Sequence, residues 1–134
     1  MDAQAALDEL TILSRQVVEA VLLAADGRVA ASTVADEGRA DALARAGQEL
    51  LSVAAGVRAG GPAVERVEVA LDEGSLFLVR DAGRTLVATT VADATPGLVL
   101  YDLRTALRRS AEAPARRRRT RSRPDTAETA GGDA

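Results

Sequence analysis

Apolar residues recur at helical spacing over residues 3–16, with Ala3, Ala6, Leu7, Leu10 and Leu13 on one face, Ile12 on its flank and Asp2 where an N-cap belongs. The pattern then changes character. Val17 to Ala24 is apolar at nearly every position, as in an inner strand covered on both faces, and Asp26-Gly27 predicts a hairpin that returns the chain from Arg28 to Val34. Residues 37–57 predict a second helix whose inward face is Leu43, Ala46, Leu50, Val53, Ala54 and Val57. Asp41, Arg45, Gln48 and Ser52 fall on the opposite face. Leu51 lies on the flank, either as a contact for another chain or as an isolated surface leucine.

Gly60-Gly61-Pro62 ends that helix and opens a three-strand meander: Val64 to Leu71, Ser75 to Arg80 and Arg84 to Val91, joined at Asp72-Glu73-Gly74 and Asp81-Ala82-Gly83. In the first of these, Val67, Val69 and Leu71 alternate with Arg66, Glu68 and Ala70, the signature of an edge or half-exposed strand. Leu76-Phe77-Leu78-Val79 is apolar on both faces and predicts a central strand. Asp93 or Thr95 caps a last helix that has Pro96 at its first position and Val99, Leu100, Leu103, Ala106 and Leu107 as its buried stripe.

The order α-β-β-α-β-β-β-α, with inner strands apolar on both sides, predicts an α/β (α+β) fold: an α/β/α sandwich around a five-stranded antiparallel sheet. Residues 1–113 form this domain. Beyond Pro114 the composition turns to Arg, Pro, Thr, Ala and Gly, too poor in apolar area to offset the entropy of ordering, so 114–134 is expected to be a disordered tail.

Composition narrows the chemistry. The chain has no Cys, His or Lys, which removes thiol and imidazole catalysis, the usual zinc ligands and the P-loop signature; no enzyme activity, metal or cofactor is expected. With one Phe, one Tyr and no Trp it also lacks a base-stacking platform. No run is apolar and long enough to span a bilayer, and Met1-Asp2-Ala3-Gln4 lacks the basic start of a signal peptide, so a cytoplasmic location is expected. Gly56-Val57-Arg58-Ala59-Gly60-Gly61 faintly resembles a phosphate loop but follows a helix where such a loop precedes one, and reads as loop punctuation. Asp36/Glu37 and Asp72/Glu73 fall in turns, where solvated charge is the ordinary explanation.

Three segments together, the apolar strand leading to Asp26-Gly27 with the return Val29-Ala30-Ala31-Ser32, the long Ala/Leu helix, and Gly97-Leu98-Val99-Leu100-Tyr101-Asp102-Leu103-Arg104, resemble the roadblock family, which includes dynein light-chain and small-GTPase regulator domains. The likeness spans about residues 5–111. Its Ala-rich, aromatic-poor core and Arg-rich tail depart from the family pattern. The resemblance implies a profilin-like sandwich that forms a homodimer, or a heterodimer with a paralogous roadblock protein, by joining edge strands and meeting along the second helix. On that basis Asp41, Arg45, Gln48, Leu51, Ser52, Glu65, Val67 and Val69 are the candidate dimer or partner surface. It further implies binding of a Ras-like small GTPase, as an activator or a platform; a scaffold or ligand-sensing subunit of a bacterial signalling complex is the alternative. For an activator, Arg28, Arg80 and Arg84 near turns are conceivable arginine fingers, against the simpler reading of solvated surface charge.

Charge divides the chain. Residues 1–113 carry 11 Arg against 17 acids, a net of −6, whereas 114–134 carry 6 Arg against 3 acids, a net of +3. Arg116, Arg117, Arg118, Arg119, Arg121 and Arg123 admit three readings: a solubilising tail, electrostatic contact with nucleic acid or an anionic membrane, or contact with an acidic protein surface.

Overall fold

The computed structural model describes residues 1–57, 60 and 63–122, with side chains as far as Ala111. Eight elements follow one another: α1 (Ala3–Leu13), β1 (Val17–Leu23), β2 (Val29–Ser32), α2 (Glu37–Val57), β3 (Arg66–Leu71), β4 (Gly74–Asp81), β5 (Arg84–Thr90) and α3 (Pro96–Ser122). The strands form one antiparallel sheet in the order β2-β1-β5-β4-β3. The α/β/α sandwich expected from the sequence is therefore present, with β1, β5 and β4 inside and β3 at an edge.

Period-two alternation along the inner strands sends neighbouring side chains to different layers. Ala20 and Leu22 of β1, Phe77 and Val79 of β4, and Leu86 and Ala88 of β5 face α1 and α3, where they pack with Leu7, Leu10, Val99, Leu103, Ala106 and Leu107. Val21, Leu23, Leu78 and Val87 face the other way and meet Ala40, Leu43 and Ala44 of α2. One side of the sheet thus carries two helices and the other carries one.

Local chemistry sets the element ends. Asp2 caps α1, its carboxylate accepting the Ala5 N–H at 2.8 Å. The helix stops at Leu13, short of the expected residue 16, because Ser14 takes an extended backbone (ψ 122°) that starts the chain toward β1. Ile12 and Leu13 are left largely exposed in consequence. The hairpin at Asp26-Gly27 forms as expected: Gly27 sits at φ +89°, and Asp26 Oδ1 accepts the Arg28 N–H at 3.0 Å. Its loop is wider than a two-residue turn, so β2 begins at Val29, not Arg28, and ends at Ser32.

Pro96 opens α3, and the Thr95 carbonyl accepts the Val99 N–H at 3.1 Å, so Thr95 occupies the cap position; Asp93 lies outside the helix at φ +61°. The stripe Val99, Leu103, Ala106 and Leu107 is buried, with Leu100 partly so. Arg84 holds the far end of this packed part, donating from Nη1 to Ser110 Oγ at 2.6 Å and from Nη2 to the Leu107 carbonyl at 2.8 Å. Helical backbone continues to Ser122 without a break at Pro114. The tail boundary expected there falls among residues whose side chains lie outside the described set, and residues 123–134 lie outside it altogether.

Candidate functional surface

The single-helix side of the sheet holds the candidate surface. α2 packs on the sheet with Gly47 against β5, where a Cβ would stand 2.6 Å from Val87 Cγ2. Only hydrogen fits there. Two polar contacts fix the helix lengthwise. Near its start, Arg39 donates from Nη2 and Nε to the two carboxylate oxygens of Glu19 on β1 at 2.8 and 3.0 Å, and Thr89 Oγ1 of β5 donates to Glu19 Oε1 at 2.9 Å. These bonds, led by those from Arg39, hold the Glu19 carboxyl below its ordinary pKa against the opposing effect of burial. Farther along, Gln48 Nε2 donates to the Gly27 carbonyl at 3.0 Å and ties the helix to the β1–β2 turn.

The buried face of α2 is Ala40, Leu43, Ala44 and Gly47, continued by the half-buried Leu51. This corrects the stripe expected from the sequence. Leu43 is shared, but Val53 and Val57 are 70% and 81% exposed and Ala46 and Leu50 are only half-buried. The physical reason is the small-residue line Ala40, Ala44, Gly47, which lets the helix settle closer to the sheet than a Leu/Val line would. Leu51, expected on the flank, packs inward against the second core cluster. A second apolar stripe consequently turns outward, a ridge made of the half-buried Ala46 and Leu50 and the exposed Val53 and Val57.

Beside the ridge the sheet is bare. Val67, Val69 and Leu71 of β3 pair with Leu78, Leu76 and Gly74 of β4, and these β3 side chains share the α2 side of the sheet with Leu76 and Leu78. Val67 and Val69 are half-buried and Leu71 is 65% exposed. An open groove of about 850 Å³ lies between the first half of α2 and the β3–β4 turn, with Val18, Ala42, Leu43, Ala46, Leu71 and Leu76 among its apolar walls. A ligand-sensing subunit would want an enclosed pocket here; this groove opens along the helix.

The two sheet edges differ. β2 is short, and at Ser32 its backbone is occupied by the side-chain amide of Gln4, which donates to the Ser32 carbonyl at 2.9 Å and accepts the Ser32 N–H at 3.3 Å. β3 is longer and, among the described residues, is bonded on one side only, to β4. Edge backbone left unpaired in this way is a template for a further strand.

Of the residues singled out in the sequence, the structure separates two groups. Asp41, Arg45, Gln48 and Ser52 are exposed along α2, the first three lining a shallow hollow with Arg28 and Val29 on the β2 side of the helix. Glu65, Val67 and Val69 stand at the opposite, β3 side of the sheet. Sequence spacing put Ala46, Leu50, Val53 and Val57 on the inward face and so missed them as surface residues; Gly47, seated against Val87, was the signal that turns them outward. Among the conceivable arginine fingers, Arg84 is consumed by Leu107 and Ser110, whereas Arg28 and Arg80 sit at surface hollows. Asp36/Glu37 and Asp72/Glu73 do not converge with other ligands: among the described residues there is no group of three or more carboxylates that could hold a metal. No helix among them is long and apolar enough to cross a membrane. Arg58, Ala59 and Gly61 of the phosphate-loop-like segment lie outside the described residues, as does Arg123.

Comparison with solved structures places this arrangement. A Roadblock/LC7 domain from Streptomyces avermitilis superposes with a TM-score of 0.71 at 28% identity, covering 81% of this chain and 93% of the other. The chain has the fold of a roadblock domain. A second Roadblock/LC7 domain from the same organism gives 0.65 at 23% identity over 81% of this chain and 98% of that one. Myxococcus xanthus MglB gives 0.59 at 16% identity, over 78% of this chain and 87% of MglB, a likeness of fold. No family model and no curated protein sequence matches the chain. Within this fold, β3 and the outward stripe of α2 lie on the same side of the sheet, where one helix packs.

Proposed function

We propose that this roadblock domain is a non-enzymatic, dimeric regulator or adaptor for a Ras-like small GTPase. One observation carries the dimer: the β3 edge shares the α2 side of the sheet with an apolar stripe, Ala46, Leu50, Val53 and Val57, of which Ala46 borders the same groove as Leu71, while the opposite edge is occupied at Ser32 by Gln4. A second copy placed across a two-fold axis extends the sheet through β3 and lays its own ridge against this one, so one isologous contact covers both unpartnered features. A paralogous roadblock protein with the same ridge would serve equally. The polar side of α2, with Asp41, Arg45 and Gln48, then stays outside the contact and is the surface offered to the GTPase. The resemblance to small-GTPase regulators supports that partner, and the fold shared with MglB agrees with it.

Sedimentation equilibrium of the purified chain checks the dimer, and calorimetric titration against the small GTPases encoded near it, in both nucleotide states, checks the partner. Binding of at least one GTPase, weakened by Asp41→Arg, is the expected result. Failure to bind any of them in either state refutes the GTPase reading and leaves the dimer to stand on its own measurement.

A further inference from the structure

The surface described above makes no use of the arginines of α3. We propose that the Arg-rich second half of α3, together with the groove beside Arg104 and Arg108, binds the phosphate backbone of duplex nucleic acid without reading its sequence. Arg104 and Arg108 are one helical turn apart and line an open groove of about 530 Å³ with Arg80, against the two carboxylates Glu65 and Asp81. Among the described residues neither guanidinium has a carboxylate within 4.0 Å; the ion pairs there are Arg39 with Glu19 and Arg109 with Glu9. Arg108 only donates weakly to Thr105 Oγ1 at 3.5 Å.

Arg84 anchors α3 to β5 through Leu107 and Ser110. The backbone remains helical to Ser122 and carries Arg116, Arg117, Arg118, Arg119 and Arg121, with no acid between Glu112 and Asp125. From Arg104 to Arg121 the helix measures about 26 Å, a length over which one DNA strand presents about seven phosphates.

The chemistry of this stretch selects among polyanions. Residues 111–134 contain no Val, Leu, Ile, Met, Phe, Tyr or Trp. They therefore lack the apolar anchors of a protein interface core and the apolar face that lays a helix into a lipid headgroup layer. What remains is guanidinium, which matches phosphate oxygens two at a time, facing the densest regular array of phosphates available. The net charge of −6 on residues 1–113 disfavours contact elsewhere on the domain and leaves the arginines of α3 as the contact.

Fluorescence anisotropy of the full chain with a labelled mixed-sequence DNA duplex tests the proposal. Binding is expected to weaken with salt, log K falling against log salt with a slope of about −5 or steeper. Replacing Arg116, Arg117, Arg118 and Arg119 with Gln should make the slope shallower by about 3 to 4, and Arg104→Gln with Arg108→Gln by about 2. The first variant lies beyond the packed part of α3, so it decides the matter even if the second fails to fold. No binding at 50 mM salt (a value of about 0.05 M, where such contacts are strong), or binding unchanged in the Arg116–Arg119 variant, overturns the proposal. So does a variant that loses adsorption to phosphatidylserine vesicles while keeping its affinity for the duplex.

Discussion

The two faces of the sheet are built from the same strands and meet different fates. On the α1/α3 face Leu22, Phe77, Val79, Leu86, Val99, Leu103 and Leu107 are almost completely buried, and the two helices close over them. On the α2 face one helix packs on the sheet, burying Val21, Leu23, Leu78 and Val87 while Leu71 and Val53 stay in solvent. The first face is a finished core. The second is thinner, and it leaves large apolar residues in solvent on both α2 and β3. The closed face therefore holds most of the buried core, and the α2 face holds the apolar surface on which the proposed dimer contact rests.

The largest test of that contrast is Leu103→Ala on the closed face, which should destabilise the fold by about 2–5 kcal/mol in denaturant unfolding, since no neighbour is free to fill the void. Less than ~1 kcal/mol would show that the face is loosely packed. Gly47→Ala should cost about 1–3 kcal/mol by driving a methyl into Val87 and lifting α2 from the sheet; a neutral result in thermal melts would show that α2 is not seated closely. Glu19→Gln should cost about 1 kcal/mol, a modest figure because the Arg39 side chain is 49% exposed. Its pH signature is more telling. The carboxyl's folded pKa lies below the ordinary 4.5, so its contribution is complete above that value and is lost as pH falls through the folded pKa. The variant's stability curve should lose that acid limb, and coincident curves for the two proteins would remove Glu19 from the account.

The smallest effect on unfolding is expected from Leu50→Glu with Val53→Glu, within about 0.5 kcal/mol for the isolated subunit, because both residues border solvent. The same pair should convert dimers to monomers in sedimentation. A large loss of stability without dissociation would place these residues in the subunit's own core and erase the distinction between the faces.

The sequence pattern reveals the closed face more faithfully than the open one. Val99, Leu103, Ala106 and Leu107 form a single unambiguous stripe, and Asp26-Gly27 and Pro96 mark turn and helix start by backbone geometry alone. The central position of β4 follows from Phe77 and Val79 alternating with Leu76 and Leu78. In α2, by contrast, Ala, Leu and Val occupy so much of the circumference that two apolar stripes compete. The choice between them is settled by steric fit at Gly47, a contact with a residue 40 positions away that no local periodicity records. The Gln4 amide on Ser32 is equally invisible, since it links residues 28 apart.

That amide has a consequence for the size of any assembly. A strand edge open at both ends of a sheet permits addition without limit, as in fibrils. Here one end is already occupied by a side chain of the same subunit, so joining two copies through β3 uses up both open ends and leaves a capped strand at each extremity. On the proposed pairing growth ends with two copies, and a single glutamine, seated on the β2 edge at Ser32, works against further addition.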